Sequence, residues 1–484
     1  MSPQVSLSAD QIIGDKQNNL LEDFLDELFS GTLPKFATFS FTVETIDPLA
    51  YLEINWQNDQ FQYYWEHPAD TFAIAAQGTV QTITGNGPER FQQIQTAVDT
   101  IENSIKEFSA VNHRYDGTIF LGGFSFFDVI ANNNWKSFEP ASFTIPKWAI
   151  IKDGKYSIVT LGVELSHWDD REQLYRYLLA QLKKIQNGDH IGTIDTKKTQ
   201  ISSSNLSELG TASLNNGEYH RWESSIREAK QLIADNEFDK IVLARQVSIP
   251  ASKSIIPTEL LNNFRKQYTN CYNFLVHQPE NATFLGTTPE RLGSISQQRL
   301  QTEALAGSMR RGQTATEDSL LEEHLAESSK NISEHNFVVK DIKERLRPLT
   351  RSINLNGRPE IKKLSNVQHL STPIRAELKK DVHILDVIEQ LHPTSAVGGY
   401  PWEKAAPYIN KLETFDRGWY AGPVGWFNSS GTATFAVGIR SGLLTENNIS
   451  FFAGCGIVAD SNPKTEWEET NLKLKPMLSA LPYD

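Results

Sequence analysis

Seven charged side chains from position 240 onward have types and local spacings that could do chemistry. Glu466, Glu469 and Lys473 lie in PKTEWEETNLKLKPML, where a helix would place them at i, i+3 and i+7, on one face. Two carboxylates and an ammonium so placed suit a divalent cation that also holds an anionic ligand. The alternative is a solvated face of charge pairs. Glu334, beside His335 in SKNISEHNFVVKDI, shares a helix face with Asn331 and Val338. A carboxylate on a partly apolar face needs a partner, and a metal is one. No His/Cys spacing of the zinc kind occurs. A cation held by Glu334, Glu469 and Glu466 would therefore be oxygen-ligated, and Mg²⁺ fits best, because it takes few carboxylates, keeps waters and lets an anionic substrate complete its shell.

The other candidates sit on strands and turns. Lys240 begins the apolar run of FDKIVLARQV, on the face of Val242 and Ala244. It is either a snorkelling edge residue or, if enclosed, a base made available near neutral pH by desolvation. Glu290 follows a proline in FLGTTPERL, either ion-paired to Arg291 or aimed at the mouth of a sheet. Arg440 closes the strand FAVGIR and, with Lys473, offers two cations for a carboxylate. FFAGCGIVADSNP (451–463) reads as a strand ending in a Gly-rich turn that brings backbone close to a small molecule.

Periodicity supplies the elements that must hold these groups. Residues 12–29 and 88–108 read as helices, the second with Phe91, Ile94, Val98, Ile101 and Ile105 on one face. Between them FATFSFTVETI, YLEINWQ, QFQYYWEH and TFAIAAQGTV read as a meander of strands broken by Asp-Pro, Asn-Asp and Pro-Ala-Asp signals. Strands return over 118–127 and 142–165. The polar stretch from Gln186 to Glu218 reads as a surface seam. It divides a strand-rich half, 1–204, that completes the sheets and ends in a polar linker, from a region 205–484 that carries every candidate. There a helix with Trp222, Ile226, Ala229 and Ile233 on its stripe precedes the Lys240 strand, and 317–346 reads as one long helix. GWYAGPVGWFN, GTATFAVGIRSGLL and ISFFAGCGIV read as closing strands. The expected class is α+β: layered antiparallel β-sheets, a β-sandwich-like core, with helices packed outside.

Composition narrows the partners. The 484 residues carry a net charge of −13 and no basic stripe, which argues against nucleic acid and an anionic membrane surface. No apolar run approaches the length of a membrane span. Two cysteines, Cys271 and Cys455, make no disulfide framework, and the N-terminus lacks signal-peptide character, so a cytoplasmic protein is expected. An anionic substrate would need local cations or a metal.

The motifs DKIVLAR, LGTTPERL, TEALAGSMRRG, SEHNFVV, LHPTSAVGGYP, DRGWYAGPVGW and AGCGIVADSNPKTEWEETNLKL, in that order, resemble the chorismate-utilising enzyme family, and most of all its isochorismate synthases. They cover about 205–484 densely. The resemblance implies chorismate as substrate, with Mg²⁺ holding its ring carboxylate through Glu334 and Glu469, and with Glu466 as the additional acid that reaches the metal through water. It implies Lys240 as the general base that activates water for attack at ring C2. Glu290 would be the general acid that protonates the departing C4 hydroxyl. Arg440 and Lys473 match residues that bind substrate carboxylates. Ala306, Gly307, Gly454, Cys455 and Gly456 would line the pocket, with His369 and Ala396 beside it. Lys240 and ALAGS, where ammonia-using relatives tend to carry PIAGT, imply water as nucleophile and no glutamine amidotransferase subunit. Salicylate synthase, which goes on to eliminate pyruvate, is the alternative within the family, and a catalytically idle chorismate-binding relative is the alternative outside catalysis.

Overall fold

The computed structural model describes residues 9–111, 113–186, 216–250, 255–355, 357–364, 367–446 and 448–481. The polar seam expected at 186–218 thus lies almost wholly outside the described residues. Two large sheets dominate. The 12-stranded sheet runs in the order Gly399–Tyr400, Lys240–Pro250, Asn448–Ile457, Ser441–Leu444, Ala282–Thr288, Tyr272–Gln278, Gln62–His67, Phe72–Gln77, Trp148–Asp153, Tyr156–Glu164, Phe36–Val43 and Ile105–Ser109. The 10-stranded sheet centres on Val367–Leu378, Arg299–Arg310, Arg291–Ser296, Ala433–Val437, Pro423–Asn428 and Ile119–Phe124. Strands from before and after the seam therefore pair within each sheet, Gln62–His67 against Tyr272–Gln278 in one and Ile119–Phe124 against Pro423–Asn428 in the other.

The sheets meet through a core rich in large rings, in which Phe72 stacks on Trp426 at 5.4 Å and Phe284 meets Trp419 edge-on at 6.5 Å. A second apolar layer, including Leu25, Leu178, Phe264, Leu285, Leu474 and Met477, lies between the 12-stranded sheet and its helices. Ala282–Thr288 is buried along its whole length, as a strand covered on both faces must be. The α+β layering expected from the sequence is the observed architecture.

Four local readings give way to the structure. YLEINWQ is not a strand: Pro48–Ile54 is helical, because Asp47 caps it by accepting from the Leu49 and Ala50 amides at 3.0 and 3.5 Å, and Pro48 suits the first helical position. The helix expected to reach 108 stops at Glu102, and Ile105 starts a strand that pairs in parallel with Phe36–Val43. The long helix of 317–346 is two helices, Ala315–Glu327 and Ser329–Leu346, broken at Ser328, whose hydroxyl accepts from the Asn331 amide at 3.3 Å. GTATFAVGIRSGLL is also not one strand. Ala433–Val437 belongs to the 10-stranded sheet and Ser441–Leu444 to the 12-stranded one, so Arg440 lies past the strand end, at φ 49°, in the crossing between sheets.

That crossing is matched by another. Ala282–Thr288 and Arg291–Ser296 also lie in different sheets, and Glu290 sits between them. The two crossings bond to each other, the Val437 amide donating to the Glu290 carbonyl and the Thr287 amide to the Arg440 carbonyl, both at 3.0 Å. Two candidate residues far apart in sequence are thereby fixed at one mouth between the sheets.

Candidate active site

A cavity of about 300 Å³ opens at this mouth. Lys240, Glu290, Glu334, Arg440, Glu466, Glu469 and Lys473 all line it, with Ala306, Gly307, His369, Ala396, Gly454 and Gly456.

Each element reaches the cavity for a local reason. The helix Pro463–Ser479 begins at Asn462, whose side chain accepts from the Lys464 and Thr465 amides. It is pinned to Lys240–Pro250 by Arg245, which stacks 3.8 Å over the Trp467 ring and donates to the Thr470 hydroxyl at 2.8 Å. Glu466, only 6 % exposed, faces the cavity from this helix, so the reading as a solvated charge face fails there. On Ser329–Leu346 neighbouring residues divide the work. Glu334 faces the cavity, while buried His335 bonds the Thr372 hydroxyl through Nε2 at 2.7 Å and ties the helix to the 10-stranded sheet. The ALAGS motif carries a β-bulge between Ala306 and Ser308, with Gly307 at φ 74°. A Cβ there would come within 3.2 Å of Asn331, which makes glycine the residue for the turn.

Lys240 is enclosed, not snorkelling. It is 8 % exposed and its Nζ lies 2.8 Å from Glu334 Oε1. A Cβ on Gly456 would sit 2.8 Å from Lys240 Cε and 3.5 Å from that same oxygen, so the glycine keeps room beside the pair. Lys473 pairs with Glu469 at 2.7 Å and donates to the Gly454 carbonyl at 2.9 Å. Burial pulls its ammonium down, but Glu469 and Cys455 outweigh burial and the net shift is upward.

Glu290 makes no ion pair with Arg291 among the described residues. Burial pushes its carboxyl up to about 7, Glu303 adds to the rise, and Lys362, Lys473 and Lys240 oppose it. Arg440 is 5 % exposed, its Nη1 has no hydrogen-bond partner, and burial lowers its guanidinium from the ordinary value. A buried cation without an anion costs roughly several kcal/mol, which a carboxylate ligand would offset. Its Nη2 lies 3.4 Å from His369 Nε2, and His369 Nδ1 lies 2.9 Å from the Ser308 hydroxyl. Burial, then Arg440 and Lys473, hold His369 well below the usual histidine value, so the ring is neutral and Nε2 accepts from the guanidinium.

Cys455 is the exception among the expected lining residues. Alternation along Asn448–Ile457 turns Gly454 and Gly456 to the cavity and Cys455 away from it. Its thiol is buried 3.8 Å from the Glu466 carbonyl, and burial pushes it far up. Sequence reasoning also missed Arg417 and Glu413, a buried ion pair that fixes the strand carrying Lys240. Arg417 donates to the Val242 and Val397 carbonyls at 2.9 Å each, and Glu413 accepts from the Ala244 amide at 2.7 Å. The motif DRGWYAGPVGW contains Arg417, but nothing in its spacing points to a backbone 175 residues away.

The donors that could hold a metal are carboxylate oxygens, the hard ligands that suit Mg²⁺ or Ca²⁺. Among the described residues no three or more His, Cys, Asp or Glu side chains form a ready-made metal group. Glu334, Glu466 and Glu469 share the cavity without converging. Such a donor set fits an ion that keeps waters and takes an oxygen from its substrate.

The sequence profile of the family described as "Chorismate binding enzyme" matches residues 23–482. The "Salicylate biosynthesis isochorismate synthase" of Pseudomonas aeruginosa is 34% identical over 454 residues, 93% of this chain and 90% of that protein. The "Isochorismate synthase MenF" of Bacillus subtilis is 31% identical over 453 residues, 92% of this chain and 93% of that one. The solved structure of MenF, the menaquinone-specific isochorismate synthase from Escherichia coli, superposes with a TM-score of 0.74 at 24% identity, over 96% of this chain and 99% of that chain. With a profile spanning nearly the whole chain, and relatives above 30% identity across nine-tenths of it, this chain belongs to the chorismate-binding enzyme family.

Proposed function

We propose that this protein is an isochorismate synthase, converting chorismate to isochorismate with Mg²⁺. The observation that carries the reading is the pairing, in one cavity, of an enclosed lysine with a carboxyl held up to about 7. A group that must donate a proton near neutral pH needs such a value. The relatives named isochorismate synthase point the same way.

Water bonds to ring C2 and the double bonds shift as the C4–oxygen bond breaks. Lys240 takes the proton of the attacking water. Glu290 gives its proton to the departing C4 hydroxyl, so the product is an isomer of the substrate. Arg440, through its unpartnered Nη1, and Lys473 receive the carboxylates. His369, neutral, positions Arg440. Glu334 and Glu469 would hold Mg²⁺, with Glu466 beside them, and the ion would supply positive charge against the ring carboxylate. Because Glu290 acts protonated, kcat/KM should fall as pH rises through about 7. The purified protein, incubated with chorismate and Mg²⁺, should yield isochorismate, resolved by chromatography, and lose activity in EDTA. Pyruvate and salicylate formed without an added lyase would make it a salicylate synthase instead. No turnover would leave the idle relative.

A further inference from the structure

Beside Glu290, outside the residues that line the cavity, lies an ion pair that the reaction does not use. Glu303, in TEALAGS, is only 9 % exposed at its side chain, and Lys362, on the short strand Glu360–Lys363, reaches it from 59 residues away. The contact is two-pronged, Lys362 Nζ lying 2.8 Å from one carboxylate oxygen and 3.0 Å from the other. The same ammonium donates to the Pro289 carbonyl at 2.9 Å, and the Glu303 carboxylate accepts from the Arg291 amide at 3.4 Å. The pair therefore grips the backbone on both sides of Glu290. The Ser371 hydroxyl, 3.4 Å from Glu303 Oε2, completes the cluster.

We propose that the Glu303–Lys362 ion pair is a positioning device for Glu290, fixing the sheet-to-sheet crossing that carries it, and that Glu303 is the member of the pair that keeps the acid ready for the departing C4 hydroxyl. The geometry has a definite electrostatic sense. The charges facing Glu290 are Glu303, Lys362, Lys473, Lys240 and, from the other crossing, Arg440. Among them Glu303 is the one that favours the neutral acid. Lys362 opposes it, and the bidentate bond directs that ammonium to Glu303 and Pro289, which leaves Glu290 without a cation of its own on this side. Burial alone would protonate a carboxyl anywhere in the core. Glu303 adds a negative charge at a chosen place, and Lys362 tempers it.

The inference rests on the reading of Glu290 as the acid, and the test separates the two. Glu303→Gln keeps the shape and removes the negative charge, so the alkaline limb of the kcat/KM profile should move to lower pH. The expected loss is about tenfold at pH 8.5 and less than about twofold at pH 6. Lys362→Gln should move the same limb to higher pH, and the double variant should return it toward the parent. A purely structural pair would lower the rate at every pH in both single variants and leave the limb in place, which would overturn the proposal. In parallel, ¹³C-carboxyl NMR of Glu-labelled full-length protein, with the Glu290 signal assigned by its loss in Glu290→Gln, reads the titration directly. Opposite displacements of that signal in the two variants are expected, and an unmoved signal would sink the pair's role whatever the kinetics. If the signal moves but the kinetic limb does not follow, Glu290 is not the acid, and the proposed mechanism fails instead.

Discussion

The cavity has two walls built from the same residue types and brought to opposite states. On one wall Glu334 and Glu469 each stand within 2.8 Å of a lysine, Lys240 and Lys473 respectively. On the other wall Glu290 has lysines in its neighbourhood but an ion pair with none of them among the described residues, and its carboxyl rises to about 7. What separates the walls is backbone context. Glu334 and Glu469 project from helices, each across from or one turn before its lysine. Glu290 sits in a chain crossing between sheets, where burial dominates and Lys362 is engaged by Glu303 and a carbonyl. The proposed reaction, which adds water on one side of the ring and releases water from the other, needs this asymmetry. The fold supplies it by where the chain changes sheets, not by changing residue type.

The most severe way to break the comparison is to remove a lysine of the paired wall. Lys240→Ala should lower kcat by about 10²–10⁴-fold, the range for a lost general base, while isothermal titration with chorismate shows binding largely kept. Undiminished turnover would remove Lys240 as the base. If binding vanished along with turnover, Lys240 would be an anchor for Glu334 and not a reactive group.

How much of this was legible beforehand depends on whether a residue's role is local. The helical face of Glu466, Glu469 and Lys473 was readable because helix periodicity alone brings them together. Gly307 was marked as pocket lining by its motif, but the bulge it occupies was not. The crossings were not readable. FAVGIRSGLL runs apolar throughout, and only the pairing of Ala433–Val437 and Ser441–Leu444 with different sheets shows that Arg440 sits in a bend. Aromatic composition misled at Pro48–Ile54, where Leu49 and Leu52 are buried and Arg265 fixes the capping Asp47 by two bonds of 2.9 and 2.8 Å. Arg417 with Val242, and Glu303 with Lys362, join residues too distant for any window of spacing. In the linear chain Arg417, Glu303 and Lys362 look like ordinary surface charges.

A gentler test sharpens the role of Arg440 in the contrast. Arg440→Lys keeps the charge between Glu290 and His369 but loses the planar fork and the free Nη1. Losing one charge-assisted hydrogen bond to a substrate carboxylate is worth about 1.5 kcal/mol or more, so KM for chorismate should rise about tenfold with kcat changed less. A fall in kcat with KM unmoved would place Arg440 in the chemistry and not in binding.

The smallest effect is expected where the strand's alternation overrules the pocket expected from sequence. Cys455 lies between two cavity-lining glycines, yet its thiol packs beneath the helix that carries Glu466. Cys455→Ala removes one buried heavy atom beside Trp467, in the same apolar core, and should cost about 1 kcal/mol of stability in a denaturant titration. Turnover and KM should stay within about twofold, because neither wall loses a charge. A several-fold change in KM with unchanged stability would mean that the thiol does meet the substrate and that the register of Asn448–Ile457 against Lys240–Pro250 differs by one residue from the pairing Val242 to Gly456. Such a slip would turn Gly454 and Gly456 out of the cavity as well, so this mild variant also tests the placement of the two lining glycines.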